Sequence, residues 1–417
     1  MNVVMIGPFG LRPKGTMAGR ALPMAKALAA RGHTVEVILP PWNWPEDSGR
    51  SWEEEGVRVV NVALPPGIPV LRYMLLTWRL VHRALAHHPD VVHCFKPKAY
   101  AGLAAWTLWW MRKLRLVKVR LVVDADDWEG AGGWNEIENY SWAQKRVFAW
   151  QEQWGLTHCD ALTVASRALE SIVWSMGVPS DRVFCVPNGV QKKQDAGGKG
   201  QEARSRTQDA RSKRQYLPPP ISCILPPASC ILLYTRFFEF AVERVIEILR
   251  LVLAQVPQAK LLVVGKGLFG EEKQLLALAA EAGLTEKVDY VGWVRLEELP
   301  RYFAAADVAI YPYDDTLINR TKCSVKLIDL LAAGLPVVAD DVGQNGVYIE
   351  HGVSGFLVEP GDTAAFAAAV VRLLRDRGLR ERLAEGAQRR VRQHFTWDRL
   401  ADSVEAAYRL ARGIAGD

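Results

Sequence analysis

The chain has 417 residues, more than one ordinary compact domain and about the size of two. Hydrophobic residues make up 49% and charged residues 24%, which excludes wholesale disorder. The formal charge is 52 − 46 = +6, and residues 192–214 alone carry eight Lys or Arg against three acids, which argues against a nucleic-acid binder with a basic folded surface.

In chain order, residues 3–6 are apolar and predict a first strand; with no basic leader before them they do not read as a signal peptide. A Gly-rich loop, Gly7 to Gly19, follows. Ala18–Arg31 predicts a helix, with Leu22, Ala25, Leu28 and Ala29 at helical spacing and Gly32 at its C′ position. Val35–Leu39, Val57–Val62, Val91–Phe95, Leu121–Val123 and Leu162–Ala165 predict further strands, with amphipathic stretches between most of them. The alternation stops at Val186-Pro187-Asn188-Gly189. Residues 190–228 are polar, basic and then Pro-rich, and read as a solvated linker. Strands resume at Ile231–Tyr234, Leu261–Val264, Val288–Val291, Val308–Tyr311 and Pro336–Ala339, and Trp397–Ile414 predicts a last amphipathic helix.

This pattern predicts an α/β protein with two Rossmann-like, doubly wound sheets, whose loops at the strands' carboxyl ends line a cleft. The expected boundaries are an N-terminal domain over 1–189, a linker over 190–228, a second domain over 229–395 and a C-terminal helix over 396–417. Six scattered cysteines without a C-x-x-C pair argue against zinc, redox and disulfide frameworks and for a reducing, cytoplasmic setting. No uncharged run of about 18 apolar residues predicts a transmembrane helix.

Several positions carry candidate chemistry. The first loop lets backbone approach an anion at a helix start, but it lacks both G-x-G-x-x-G and the P-loop pattern; it is a ligand loop or a tight turn. Arg236 and Lys266 lie at strand ends, suited to a phosphate or to surface ion pairs. Ser324 is placed to cap a helix whose first N–H groups suit a diphosphate. Asp329, just over one turn further, suits the two hydroxyls of a ribose.

The segment Lys322 to Ala339 resembles the donor-binding helix of family-4 glycosyltransferases, which have the two-Rossmann GT-B fold. The resemblance extends to Asp90-Val91-Val92-His93, Val186-Pro187-Asn188-Gly189-Val190, Gly352 to Val358 and His394-Phe395-Thr396-Trp397. It implies a nucleotide-sugar bound to the C-terminal domain and an acceptor on the N-terminal domain, with the last helix crossing back. It implies retention at the anomeric carbon and no metal or separate cofactor. By position, Arg236 would hold the diphosphate, Ser324, Val325 and Lys326 would offer backbone groups, and Asp329 would hold the ribose. Gly15 would approach the phosphate, Lys266 would sit at the cleft edge, and Val294 would lie near the base.

The chain departs from the family in three places. Thr321 stands where the first acid of a Glu-x7-Glu pattern is usual, and Asp329 stands at the second. No Lys follows Arg236; Arg244 would reach the phosphate instead or lie on a helix surface. Asp126 and Asp127, in an acidic cluster over 124–129, replace a His–Asp pair and would bind acceptor hydroxyls or act as bases.

Nine of the 15 tryptophans fall in residues 106–174. Trp150 and Trp154, at i, i+4 spacing, predict core packing. The Trp-rich basic stretch 106–115 suits either an anionic membrane surface with a lipid-linked acceptor or a partly buried helix. His93 predicts a hydrogen-bonded structural residue. The expected activity is sugar transfer to a glycan or lipid-linked acceptor in the cytoplasm, with peripheral membrane contact and no nucleic acid. A nucleotide-sugar epimerase and a non-catalytic nucleotide- or sugar-binding protein are the alternatives.

Overall fold

The computed structural model describes residues 1–12, 15–191 and 229–414. The linker expected over 190–228 therefore lies, apart from its edges, outside the described residues. The chain divides into two units. The first holds Met1–Gln191, Arg320–Cys323 and the stretch from His394; the second holds the described residues up to Asn319 and Ser324–Gln393.

The first unit is built on an eight-stranded sheet of β1 (Asn2–Ile6), β2 (Thr34–Leu39), β3 (Ser51–Glu54), β4 (Val57–Asn61), β5 (Val91–Phe95), β6 (Arg120–Ala125), β7 (Ala161–Val164) and β8 (Val183–Cys185). Its order is β3-β4-β2-β1-β5-β6-β7-β8, and only β3 runs antiparallel to its neighbour. Its central strands are apolar on both faces because helices cover both, as the buried runs of β1, β5 and β7 show. The order reverses direction between β1 and β5, which creates a switch point at their carboxyl ends.

The second unit carries a six-stranded, all-parallel sheet of β9 (Cys230–Thr235), β10 (Lys260–Gly265), β11 (Val288–Gly292), β12 (Val308–Tyr311), β13 (Val337–Asp340) and β14 (Phe356–Val358), in the order β11-β10-β9-β12-β13-β14. Its switch point lies between β9 and β12.

The last helix, Trp397–Arg412, belongs to the first unit's core. Trp397, Leu400, Val404, Ala407 and Tyr408 are buried there against strand residues such as Val91 and Val122. Ion pairs from Arg31 to Asp402 at 2.6 Å and His33 to Glu405 at 2.9 Å fasten its outer face.

Three local expectations change, and the one for His93 holds. The first helix opens with a wider π-turn over Met17–Ala21 and becomes α-helical over Leu22–Ala30. Pro23 has no N–H for the regular ladder, which explains the loosened entry. Three short strands, β3, β8 and β14, have no counterpart in the expected set. Trp150 is not core; it is 47% exposed, while Trp154 stacks on His158 at 4.6 Å. His93 is central in β5, hydrogen-bonded to the Tyr408 hydroxyl at 2.9 Å and Thr163 Oγ1 at 3.1 Å. Burial pushes its pKa down to about 4, so the ring is neutral.

Candidate functional site

In the second unit the candidate residues gather at the switch point. Arg236 follows directly after β9 and its side chain is exposed. The next residue, Phe237, is buried with a left-handed φ of 72°. Thr235 Oγ1 fixes this turn, accepting the Phe237 N–H at 2.8 Å and donating to Glu239 Oε2 at 3.2 Å. A strained backbone at a strand's carboxyl end is the kind of feature found where a ligand is held.

The helix Val325–Ala332 begins beside β12. Ser324 occupies its N-cap position, but its hydroxyl makes no capping bond. It is hydrogen-bonded to the buried Tyr311 hydroxyl, which also meets the Tyr313 hydroxyl at 3.0 Å. The expected cap is thus corrected: the Ser324 hydroxyl anchors the helix start to β12 and does not itself cap the first N–H groups. Asp329 and Lys326 are half-buried on this helix. The Lys326 ammonium lies 5.5 Å from the Tyr234 ring centroid, and burial together with the Asp329 charge pushes the Tyr234 phenol up. Asp329, Lys326 and the end of β9 therefore form one group.

Lys266 is exposed in the loop after β10, whose end pairs with that of β9 through Gly265 and Thr235. Gly265 has φ 134°, and a Cβ there would lie 1.9 Å from the Thr235 carbonyl oxygen, so only glycine fits. The loop does not offer all its N–H groups to an anion: Gly267 N–H donates to Glu272 Oε2 at 3.0 Å and Phe269 N–H to Glu271 Oε2 at 2.7 Å. Val294 is half-buried beyond the end of β11, two strands away from β9, and follows the exposed Trp293.

The first unit brings Gly15, Asp126 and Asp127 to its own switch point. Gly15 accepts the Gly19 N–H at 2.9 Å at the start of the first helical turn. Its neighbour Thr16 donates to Asp126 Oδ2. The half-buried Lys96, on a left-handed backbone of φ 51°, has its amine 3.2 Å from Asp127 Oδ2, 3.0 Å from Glu129 Oε1 and 3.9 Å from Asp126 Oδ1. Lys98 pairs with Glu129 Oε2 at 2.6 Å. Glu152 accepts the Glu129 backbone N–H at 2.9 Å. Burial pushes the Asp126 carboxyl up to about 6 and that of Glu152 up to about 8. The acids, above all Asp126, hold Lys96 well above the ordinary lysine range despite its burial. Asp126 Oδ1 is buried and has no hydrogen-bond partner among the described residues. Unmet hydrogen-bonding capacity of this kind suits a substrate hydroxyl. Among the described residues, no group of three or more His, Cys, Asp or Glu is placed to share a metal ion.

The family model for "Glycosyl transferase 4-like domain" matches residues 15–189, and that for "Glycosyl transferases group 1" matches residues 230–376. The chain belongs to the family-4, group 1 glycosyltransferases. It is 23% identical to an uncharacterized glycosyltransferase of Methanocaldococcus jannaschii, over 100% of both chains. The sucrose-phosphate synthase of Thermosynechococcus elongatus has a similar fold, with TM-score 0.70, 22% identity and 98% of each chain covered. The structure of Anabaena Alr3699/HepE in complex with UDP and glucose is also similar, with TM-score 0.66, 18% identity, and 96% of this chain and 98% of that chain covered. The fold is GT-B, built from two Rossmann-like domains.

This glycosyltransferase uses some residues in ways that were not legible. Arg244 does not lie on an open helix surface; it is bound to the buried Asp340, with Nη1–Oδ2 at 2.8 Å and Nη2–Oδ1 at 2.7 Å. Thr321 is buried, and its carbonyl accepts a bond from the Ser166 hydroxyl at 2.7 Å. Arg20 was missed entirely. It is 1% exposed, forms a two-bond ion pair with Asp124 at 2.7 and 2.8 Å, and donates to the Val186 carbonyl at 2.7 Å and Asn188 Oδ1 at 3.2 Å. Asn188 Nδ2 in turn donates to the Cys323 carbonyl at 2.7 Å. This network explains the Val186-Pro187-Asn188-Gly189 motif as structural. Lys96, Lys98 and Glu152 were also missed, and only their basic or acidic type in an apolar stretch marks them.

Proposed function

We propose that this glycosyltransferase takes its sugar from a nucleotide-sugar held in the second unit and delivers it to a glycan or lipid-linked acceptor on the first. The observation that carries the reading is the start of the helix Val325–Ala332 at the β9/β12 switch point, with Asp329 on the same helix beside Tyr234. Open α/β sheets bind ligands at such points, and a helix start favours a diphosphate. Arg236 and the backbone groups of Ser324, Val325 and Lys326 neutralise the charge that grows on the departing nucleoside diphosphate. Lys266 adds a cation at the neighbouring strand end. Preorganised donors of this type are worth roughly 2–4 kcal/mol each in the transition state. Asp329 holds the ribose hydroxyls and Val294 flanks the base.

On the acceptor side, Asp126 accepts the hydrogen bond of the attacking hydroxyl, and Asp127 and Lys96 set its charge. In this reading transfer proceeds with retention, and the diphosphate needs no metal because Arg, Lys and N–H groups face it. A reducing, cytoplasmic setting is part of this reading. No helix among the described residues is long and apolar enough to cross a membrane, so contact with a lipid-linked acceptor is peripheral in this reading.

Calorimetry with UDP-, GDP- and ADP-sugars, with and without a chelator, tests the donor site. The expected result is saturable binding of one nucleotide class, indifferent to chelator and lost in Asp329→Ala. Binding that survives Asp329→Ala, or that needs a divalent ion, overturns the assignment.

A further inference from the structure

The helices Pro69–Leu85 and Ala99–Lys113 follow β4 and β5 in successive crossovers toward the same edge of the first sheet. Right-handed crossovers put both on one face of that sheet. The stacked rings of Tyr73 and Tyr100, 4.7 Å apart, join them. A surface helix normally turns one apolar stripe inward and a polar one outward. The first helix buries Leu76, Leu80 and Ala84, as expected. Its outer stripe is also apolar: Leu71, Met74, Leu75 and Trp78 recur at i, i+3, i+4 and i+7, and Met74 is 67% and Trp78 60% exposed. The second helix adds exposed Trp106 and Trp110, and the turn after it adds Leu114 and Leu116. Single exposed apolar residues are ordinary, but a run along adjoining helices marks a surface that meets something.

The charge of the same region says what it meets. Residues 56–123 contain seven Arg and four Lys against a single acid, Asp90. Lys96 and Lys98 are tied to the buried acids, Arg83 to Glu36 and Arg112 to Asp160. Lys113, Arg115 and Lys118 remain on the surface, interleaved with Leu114 and Leu116. Two copies of this face would set like charges against each other. A nucleic acid has no use for Met74 or Leu71. An anionic bilayer fits both features, because its headgroups take the cations and its outer acyl region takes Trp, Met and Leu side chains.

We propose that the outer stripe of Pro69–Leu85, Trp106, Trp110 and the turn 114–118 dock this protein on an anionic lipid surface. The proposal deepens the lipid-linked acceptor reading and rests on it only for the purpose of docking; the binding itself needs no nucleotide. The test is sedimentation of the full chain with vesicles of phosphatidylcholine alone or mixed with phosphatidylglycerol, at low and high salt, without nucleotide. Binding is expected to need phosphatidylglycerol and to weaken with salt. The double variant Met74→Ser/Trp78→Ser is expected to lose about tenfold or more in vesicle affinity, with its circular dichroism and nucleotide titration unchanged. Lys113→Glu/Arg115→Glu should reduce binding in the same direction. Equal recovery on both vesicle types, no recovery on either, or unaltered binding by both variants overturns the proposal. So does a concentration-dependent dimer that the Met74/Trp78 variant abolishes, which would assign the face to a second copy. If nucleotide binding fails while vesicle binding holds, only the donor assignment falls.

Discussion

Arg244 meets Asp340 through two parallel bonds of 2.7 and 2.8 Å, and the carboxylate they serve is fully buried at the end of β13. The Tyr313 backbone N–H adds a third bond, at 2.7 Å. The pair therefore fixes the ends of β12 and β13 to the helix Val242–Leu253, which holds Arg244.

Arg244→Ala should destabilise the protein by about 3–5 kcal/mol, because it leaves a buried carboxylate without its cation. Burial already pushes the Asp340 carboxyl up even with Arg244 in place. Without the cation it rises further, so the folded variant takes up a proton more readily than the unfolded chain does. The loss should therefore be larger at pH 7 than near pH 4. Urea unfolding at the two pH values measures this. An unchanged unfolding midpoint together with lost nucleotide affinity would instead place Arg244 on the diphosphate.

Ser324→Ala should leave nucleotide affinity within a few-fold of the parent. The Ser324 hydroxyl is engaged by Tyr311, and the backbone groups that would face the diphosphate stay in place. The variant loses one hydrogen bond at a buried tyrosine, a cost of about 1–2 kcal/mol in stability. Calorimetry and thermal unfolding read the two effects separately. A loss of binding as large as that of Asp329→Ala would show that the hydroxyl itself contacts the donor.

What was legible follows from range along the chain. Buried parallel strands are short apolar runs, so β1, β5, β9 and β12 are visible as such. β3 is not, because Trp52 and Glu53 belong to a short antiparallel edge strand rich in acids. β8 and β14 are three residues each, too short for a pattern. Local chemistry at the donor helix, Ser324 to Asp329, is legible because the helix start and the carboxylate are neighbours in sequence. The Arg20–Asp124 pair joins residues 104 apart, and no spacing announces it. Ser324 shows the limit within a motif: its cap position is readable, but its real partner comes from another strand.

Asp126 should set the acid limb of the activity profile. Its carboxyl is pushed up to about 6, chiefly by burial, so it loses its acceptor character as pH falls through that value. Turnover of the parent should fall below about pH 6. Asp126→Asn should lower turnover by about 10²-fold, within the range of a lost general base, and flatten the limb. An unaltered limb in the variant would assign the titration to another group.

Glu152→Gln tests the buried acid that touches no expected ligand. Burial pushes the Glu152 carboxyl up to about 8 from an ordinary 4.5, and its oxygens accept the Glu129 N–H. Between those pH values the unfolded chain releases the proton while the folded protein keeps it. The unfolded state then binds fewer protons, so stability falls as pH rises. At roughly 1.4 kcal/mol per unit of pKa difference, the accumulated loss by pH 8 is a few kcal/mol. Glutamine keeps an acceptor for the Glu129 N–H and has no proton to lose. The variant should therefore equal the parent near pH 5 and exceed it in stability at pH 8. Thermal unfolding across that window measures the difference. Parallel curves for parent and variant would mean that Glu152 is already ionised in the folded protein, held by Lys96 and Lys98 against its burial.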